Sequence, residues 1–305
     1  MSRLVAIVAH DAGGAEILSS WVSRNSGEYV YVLDGPAVQV FERKLGDCRS
    51  IPLDDAIRSA EWVLCGSGWG ASLEKEAIIT AKALGKKVVA YLDHWGNYKE
   101  RFLEDGRCVL PDEIWVGDSY AKAIASREFP AVKISLHENP YVLDTLAQID
   151  RLREGLIDDV VSRDILYVCE PVKEHAKKVY GDENHWGYIE DSAILYFFEH
   201  ISLLGVRHPR IRIRPHPSEN KDKYAWVLDK YDCDISISGE PDLLTDVIGS
   251  RIVVGCTSMA MVVGLLAGKR VVSVIPPGGK SCSLPHKEIE HLQNMVSAHD
   301  VCRYA

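Results

Sequence analysis

Residues 251–274 read RIVVGCTSMAMVVGLLAGKRVVSV, and this run decides the fold class. Residues 252–254 are β-branched and uncharged, Gly255 to Ser258 are mostly small, 259–266 carry an apolar helical pattern, and 271–275 return to strand-formers. An uncharged strand, a tight turn, a buried helix and a second uncharged strand together make the repeating unit of a parallel sheet covered on both faces. The charge-free stretch 252–268 is short for a membrane span, and Gly255, Thr257 and Ser258 interrupt it.

Outward from this run the same alternation fills the chain. Strands are expected over 4–9, 29–33, 62–65, 88–92, 113–116 and 132–135, with helices over 15–24, 72–84 and 120–128 between them. Asn139-Pro140 breaks the rhythm, and a charged helix over 143–156 follows. A second series then runs through strands at 165–169, 211–214, 235–237, 252–254 and 271–275 and helices over 189–204, 224–230, 242–248 and 259–266. The expected fold is α/β, with two Rossmann-like doubly wound domains facing a central cleft. An N-terminal, acceptor-side domain is expected over 1–155 and a C-terminal, nucleotide-binding one over 156–305.

The 305 residues suit two such domains, and 47% hydrophobic content can fill their cores. Lys and Arg total 35 against 44 Asp and Glu, a formal charge of -9, which excludes nucleic acid as a partner because polymer backbones need clustered positive charge. A small anion held by a local device passes this test. The eight cysteines form no C-x-x-C pair, so neither a zinc site nor a redox motif is expected. Free cysteines in apolar runs and a start without a basic region and long apolar stretch point to a cytoplasmic protein. No transmembrane segment is expected, and peripheral membrane contact is left open.

Three strand ends of the first half carry candidate chemistry. The first gives Ala9-His10-Asp11-Ala12-Gly13-Gly14, where Gly13 and Gly14 allow close approach to a helix start and Asp11 is either a helix cap or a catalytic carboxylate. This is neither a dinucleotide fingerprint nor a Walker loop. Cys65-Gly66-Ser67-Gly68-Trp69-Gly70 is a second glycine-rich turn at a strand end. The fourth strand runs into Asp93-His94-Trp95-Gly96-Asn97-Tyr98-Lys99-Glu100-Arg101. Asp93 beside His94 offers a tunable base, Trp95 and Tyr98 offer flat faces for a sugar ring, and Asn97 and Arg101 offer donors. Glu104-Asp105-Gly106 is either a proton-accepting pair or an exposed acidic turn.

In the second half, Arg214-Pro215-His216-Pro217-Ser218-Glu219 holds an imidazole between two prolines after a strand, a placement suited to a phosphate or leaving group. The turn at Thr257 and Ser258 offers hydroxyls and backbone N–H groups at a helix start, which bind phosphate without net positive charge. Glu170 ends the first strand of this half and is expected to face the same cleft. Asp232-Cys233-Asp234 has the spacing of some cation-binding motifs but precedes a strand, and no metal or cofactor is inferred from it.

The RPHPSE element, followed by the run over 242–274, resembles the C-terminal half of GT-B-fold glycosyltransferases. It is most similar to the HP-motif group that includes bacterial sialyltransferases, polysialyltransferases, Kdo transferases and glycerophosphotransferases of teichoic acid synthesis. The resemblance covers roughly residues 164–275. It implies that His216, Pro217, Thr257 and Ser258 engage the donor's cytidine nucleotide and that an acidic residue of the first half is the base. Glu104 and Asp105 fit that group's acidic motif, while Asp93 has the better location and Asp11 stays open. The implied activity is inverting, metal-independent transfer of a sugar from a nucleotide-activated, CMP-linked donor to a glycan or surface-polysaccharide acceptor. A nucleotide-sugar 2-epimerase, a glycerol-phosphate transferase and a non-catalytic binding protein are the rival readings.

Overall fold

A computed structural model describes residues 4–68, 72–155, 163–239 and 242–304. Trp69 and Gly70 of the second glycine-rich turn lie outside the described residues. The chain divides into two compact units, 1–144 and 145–305.

In the first unit the order is β1 (Leu4–Ala9), α1 (Ala12–Arg24), β2 (Glu28–Leu33), α2 (Pro36–Leu45), α3 (Leu53–Ser59), β3 (Trp62–Cys65), α4 (Leu73–Ala83), β4 (Lys87–Leu92) and α5 (Tyr98–Arg101). A hairpin, β5 (Leu103–Glu104) and β6 (Arg107–Cys108), precedes β7 (Glu113–Val116), α6 (Ser119–Glu128) and β8 (Lys133–Leu136). The six long strands form a parallel sheet in the order β2-β1-β3-β4-β7-β8. Successive residues of β1 feed opposite cores, as a pleat requires. Ala6 and Val8 pack with Val63, Ala90 and Ile114, while Val5, Ile7 and Ala9 pack with Leu18, Leu64 and Val89 under α1 and α2.

Helix α7 (Pro140–Gly155) contains the division between the units, ahead of the expected junction near 155. Its first turn belongs to the first unit, where Asp144 accepts from Arg24 at 2.6 Å; near its end Arg153 donates to Ala267 O at 2.6 Å in the second.

The second unit contains β9 (Arg163–Val168), α8 (Val172–Tyr180), α9 (Glu190–His200), β10 (Ile211–Arg214), α10 (Trp226–Lys230), β11 (Ile235–Ile237), α11 (Leu243–Ile248), β12 (Ser250–Gly255), α12 (Met259–Leu266), β13 (Arg270–Ser273), β14 (Glu290–His291) and α13 (Leu292–Tyr304). Its sheet is also parallel, in the order β11-β10-β9-β12-β13-β14. Ile165, Tyr167, Ile211, Ile213, Ile252 and Val254 face one core packed by Phe197 and Tyr224. Ser258 caps α12 by accepting from Ala260 N at 3.2 Å.

Both sheets are doubly wound, as the alternation predicts. Each reverses direction beside its first strand, between β1 and β3 and between β9 and β12. In open sheets of this kind ligands bind outside the carboxyl ends of the two strands at that reversal. Among the described residues no helix is long and apolar enough to cross a membrane.

Candidate functional site

In the first unit the ends of β1, β3 and β4 bring His10, Asp11, Gly13, Gly14, Ser67 and Asp93 together. His10 Nδ1 and Asp11 Oδ1 are 2.8 Å apart, with both side chains about a third exposed at 28% and 35%. The Asp11 hydrogen bond raises the His10 pKa above the usual imidazole value, against a smaller opposing effect of burial. The backbone N–H of His10 donates to Glu74 Oε1 at 2.8 Å. Glu74 comes from α4, is 2% exposed, and has its carboxyl pushed up by burial. Thus the loop after β1 is pinned from below and its histidine is oriented from the side.

Gly13 and Gly14 are needed for close approach. A Cβ on Gly13 would lie 2.1 Å from Asp93 Oδ2, and one on Gly14 would lie 3.3 Å from Gly66 Cα. Gly68 has the same relation to Asp11, whose Oδ2 would be 2.5 Å from an added Cβ. The glycines therefore make room for this protein's own carboxylates, not only for a ligand.

Asp93 lies at the expected strand end, but it is already paired. Arg101 Nη1 donates to its Oδ1 at 2.5 Å and to Ser67 O at 2.6 Å, and Ser67 Oγ is 3.4 Å from the same carboxylate oxygen. Arg101 is 7% exposed and Tyr98 4%, so neither presents an open face or donor to an acceptor sugar as the sequence suggested. The short helix α5 turns both inward, where Tyr98 fills the core and Arg101 neutralises Asp93. Asn97 stays exposed at φ 56 and Trp95 is half-buried, its Nε1 donating to Asp118 Oδ2 at 2.8 Å. His94 accepts from Gly96 N at 3.1 Å, and burial lowers its pKa.

Glu104 and Asp105 belong to a hairpin. Asp105 (φ 46) and Gly106 (φ 74) form the two-residue turn between β5 and β6, where both central residues need positive φ. Glu104 pairs with the buried Lys75 at 2.6 Å, and Asp105 is exposed. The acidic-turn alternative is the one observed.

In the second unit the corresponding edge gathers Glu170 after β9, Arg214 and His216 after β10, and Thr257 and Ser258 after β12. The N–H groups expected to be open for phosphate are covered. Glu170 Oε2 accepts from Thr257 N at 2.8 Å and from Cys256 N at 3.2 Å. Burial pushes this carboxyl up to about 7, with Glu219 adding to the rise and the backbone donors opposing it. Thr257 Oγ1 lies 2.6 Å from Ser283 Oγ.

Arg214 and Arg212 both bind Asp246 at 2.6 Å, and Ser238 donates to the same carboxylate at 2.5 Å. Asp246 has no exposed side chain, so two guanidinium groups share one buried carboxylate at the end of β10. Sequence reasoning missed Asp246, although the Arg-Ile-Arg alternation of β10 already put both arginines on one face. His216 is exposed, with Nδ1 2.7 Å from Ser218 Oγ; partial desolvation of its ring lowers the pKa and Glu219 opposes this. Pro217 is exposed beside it.

No protein-family model and no curated protein matches the chain. Solved structures do resemble it. The UDP-GlcNAc 2-epimerase from Methanocaldococcus jannaschii superposes with a TM-score of 0.64 at 10% identity, over 97% of this chain and 92% of that one. The same enzyme in complex with UDP-GlcNAc and UDP gives 0.60 at 11% identity, over 98% and 92%. The glycotransferase of kitacinnamycin gives 0.52 at 10% identity, over 98% and 90%. The shared feature is the fold, two doubly wound units of the GT-B type.

Proposed function

We propose that this protein is an enzyme acting on a nucleotide-activated sugar, breaking the bond between the sugar's anomeric carbon and the nucleotide phosphate and passing the sugar to an acceptor hydroxyl. The reading is carried by one observation: in each unit the titratable groups lie at the carboxyl ends of the strands where sheet order reverses. Nucleotide and phosphate belong to the second unit in this reading, on His216, Arg214 and the Thr257/Ser258 turn. A CMP-linked donor and a glycan acceptor are the proposed substrates, following the resemblance of the HP element.

The base is His10. Asp11 holds its Nδ1, which leaves Nε2 to take the acceptor's proton, and the pair stabilises the imidazolium that forms. Asp93 is less suited than its position suggested, because its Oδ1 is already engaged by the Arg101 guanidinium at 2.5 Å. Asp93 instead sets the Ser67 turn and the start of α1.

A hydrolysing 2-epimerase is the second reading, favoured by the higher TM-scores of the epimerase structures. Incubation with CMP-, UDP-, CDP- and ADP-linked sugars, with and without saccharide acceptors, separates the two. Acceptor-dependent nucleotide release supports transfer, whereas acceptor-independent release with inversion at C2 supports epimerisation. Nucleotide-induced thermal stabilisation without turnover on any donor would refute both in favour of a binding protein.

A further inference from the structure

Lys223 sits at the centre of a carboxylate cage in the second unit. Its Nζ is 2.8 Å from Glu174 Oε1 on α8 and 2.9 Å from Glu219 Oε1, and it contacts Glu190 Oε1 at the start of α9. These three carboxylates bring oxygen atoms within 4.8 Å of one another, an arrangement that like-charge repulsion forbids without a cation. Two of the three carboxylates are out of water, with the Glu190 and Glu219 side chains 5% and 2% exposed, while Glu174 closes the cage from the surface. Burial works against the ammonium, but the three carboxylates outweigh it and hold the Lys223 pKa above the ordinary lysine value.

Each buried carboxylate has further ties. Glu190 Oε2 accepts from Lys173 N at 2.9 Å. Glu219 Oε1 also accepts from the Tyr224 hydroxyl at 2.8 Å, while its Oε2 accepts the backbone N–H of His216 at 2.9 Å. A chain of contacts therefore runs from α8 and α9 through Lys223 and Glu219 to the peptide that carries the imidazole. The position that a bound metal ion would take is filled by the lysine.

We propose that Lys223 is a positioning residue for His216, an internal cation that fixes Glu219 and, through it, the backbone of the His216 loop. The functional part of this inference rests on reading His216 as a nucleotide-contacting group. Within that reading the cage explains how an exposed loop presents its histidine in one geometry. Removing the charge frees three carboxylates to separate, releases Glu219 and leaves His216 mobile.

The test uses the full chain and variants Lys223→Met and Lys223→Ala. Hydrogen exchange at the His216 amide reads the Glu219 contact directly, imidazole NMR shifts read the ring, and titration with CMP and UDP reads binding. Lys223→Met is expected to lose His216 amide protection and to weaken nucleotide binding by about tenfold or more. Lys223→Ala is expected to lose the same protection. A folded Lys223→Met protein with wild-type amide protection and imidazole shifts overturns the proposal. If that variant does not fold, the charge-balanced Lys223→Met/Glu174→Gln protein, which keeps the buried Glu190 and Glu219 carboxylates, takes the same measurements with the same deciding outcome. If the wild type binds neither nucleotide, the functional reading fails while amide protection still decides the positioning role.

Discussion

Glu170→Gln removes the charge at the start of α12 while keeping an oxygen to accept from the Cys256 and Thr257 N–H groups. In the folded protein burial lifts this carboxyl from 4.5 to about 7. A raised acid pKa means that the folded state holds the proton more tightly than the unfolded chain. The group's cost is therefore absent below pH 4.5, grows as pH rises toward 7, and levels off above it. At about 1.36 kcal/mol per unit, the step from 4.5 to about 7 amounts to about 3 kcal/mol, of which about 2 kcal/mol falls between roughly pH 5.5 and 8.5. Urea unfolding at several pH values, read by hydrogen exchange in peptides from β9 and β12, reports the second unit specifically. The wild type should lose stability relative to Glu170→Gln across that range by about 2 kcal/mol. The variant should also bind CMP or UDP more tightly, with the larger gain above pH 7, because a neutral amide at this turn does not repel the phosphate as the carboxylate does. Parallel stability profiles for the two proteins would refute the assignment of a buried, neutral-pH carboxyl at this turn.

Three further perturbations test the rest of the site. Asp11→Asn removes the group that raises the His10 pKa, so the acid limb of the pH–rate profile should move to lower pH while the plateau rate falls; an unmoved limb excludes His10 as the base. Gly13→Ala would put a Cβ 2.1 Å from Asp93 Oδ2 and should abolish nucleotide release, whereas adding it to Asp93→Ala should cost little more stability than Asp93→Ala alone, as measured by denaturation of all three proteins. Asp246→Ala strands two guanidinium groups and should destabilise the second unit by about 3–5 kcal/mol in chemical denaturation, while Asp246→Asn, which keeps acceptor oxygen, should cost less.

The parallel strands were legible because their sequences are close to unambiguous. Strands β1, β3, β7, β10 and β11 have the expected limits, since uncharged β-branched runs bounded by glycine, proline or acidic residues leave little choice of period. Helices α2 and α8 are absent from the expected set. PAVQVFERKL and VKEHAKKVY mix apolar with charged and polar residues, so their signal is the placement of the apolar ones on one face and not their density. The DG pair of residues 105–106 is a standard hairpin signal that an acidic-motif reading obscured. At the site, sequence located the strand ends but not the partners, because pairing is set by which loops the sheet order makes neighbours. Glu74 lies 64 residues from His10, and Thr257 lies 87 from Glu170. Adjacency in sequence suggested Asp93 with His94, whereas the fold pairs Asp93 with Arg101 and gives His10 its own aspartate.

These pairings change what the net charge of -9 means for the binding of an anion. In each unit an acidic side chain occupies the start of the helix at the sheet reversal: Asp93 against Gly13 of α1, and Glu170 on the turn into α12. A helix start favours an anion, so these carboxylates use the same local fields that a phosphate would use. The free protein is therefore not a preformed phosphate cradle in the second unit. Phosphate must either displace Glu170 or meet it protonated, and protonation is accessible at neutral pH because the carboxyl is held at about 7. The donors left for phosphate in this reading are the Arg212 and Arg214 guanidinium groups beside Asp246 and the His216 ring. On this argument nucleotide binding takes up a proton at neutral pH, and the uptake disappears in Glu170→Gln. Calorimetric titration in buffers of different ionisation enthalpy measures it directly, and equal proton uptake by the two proteins would remove Glu170 from the binding reaction.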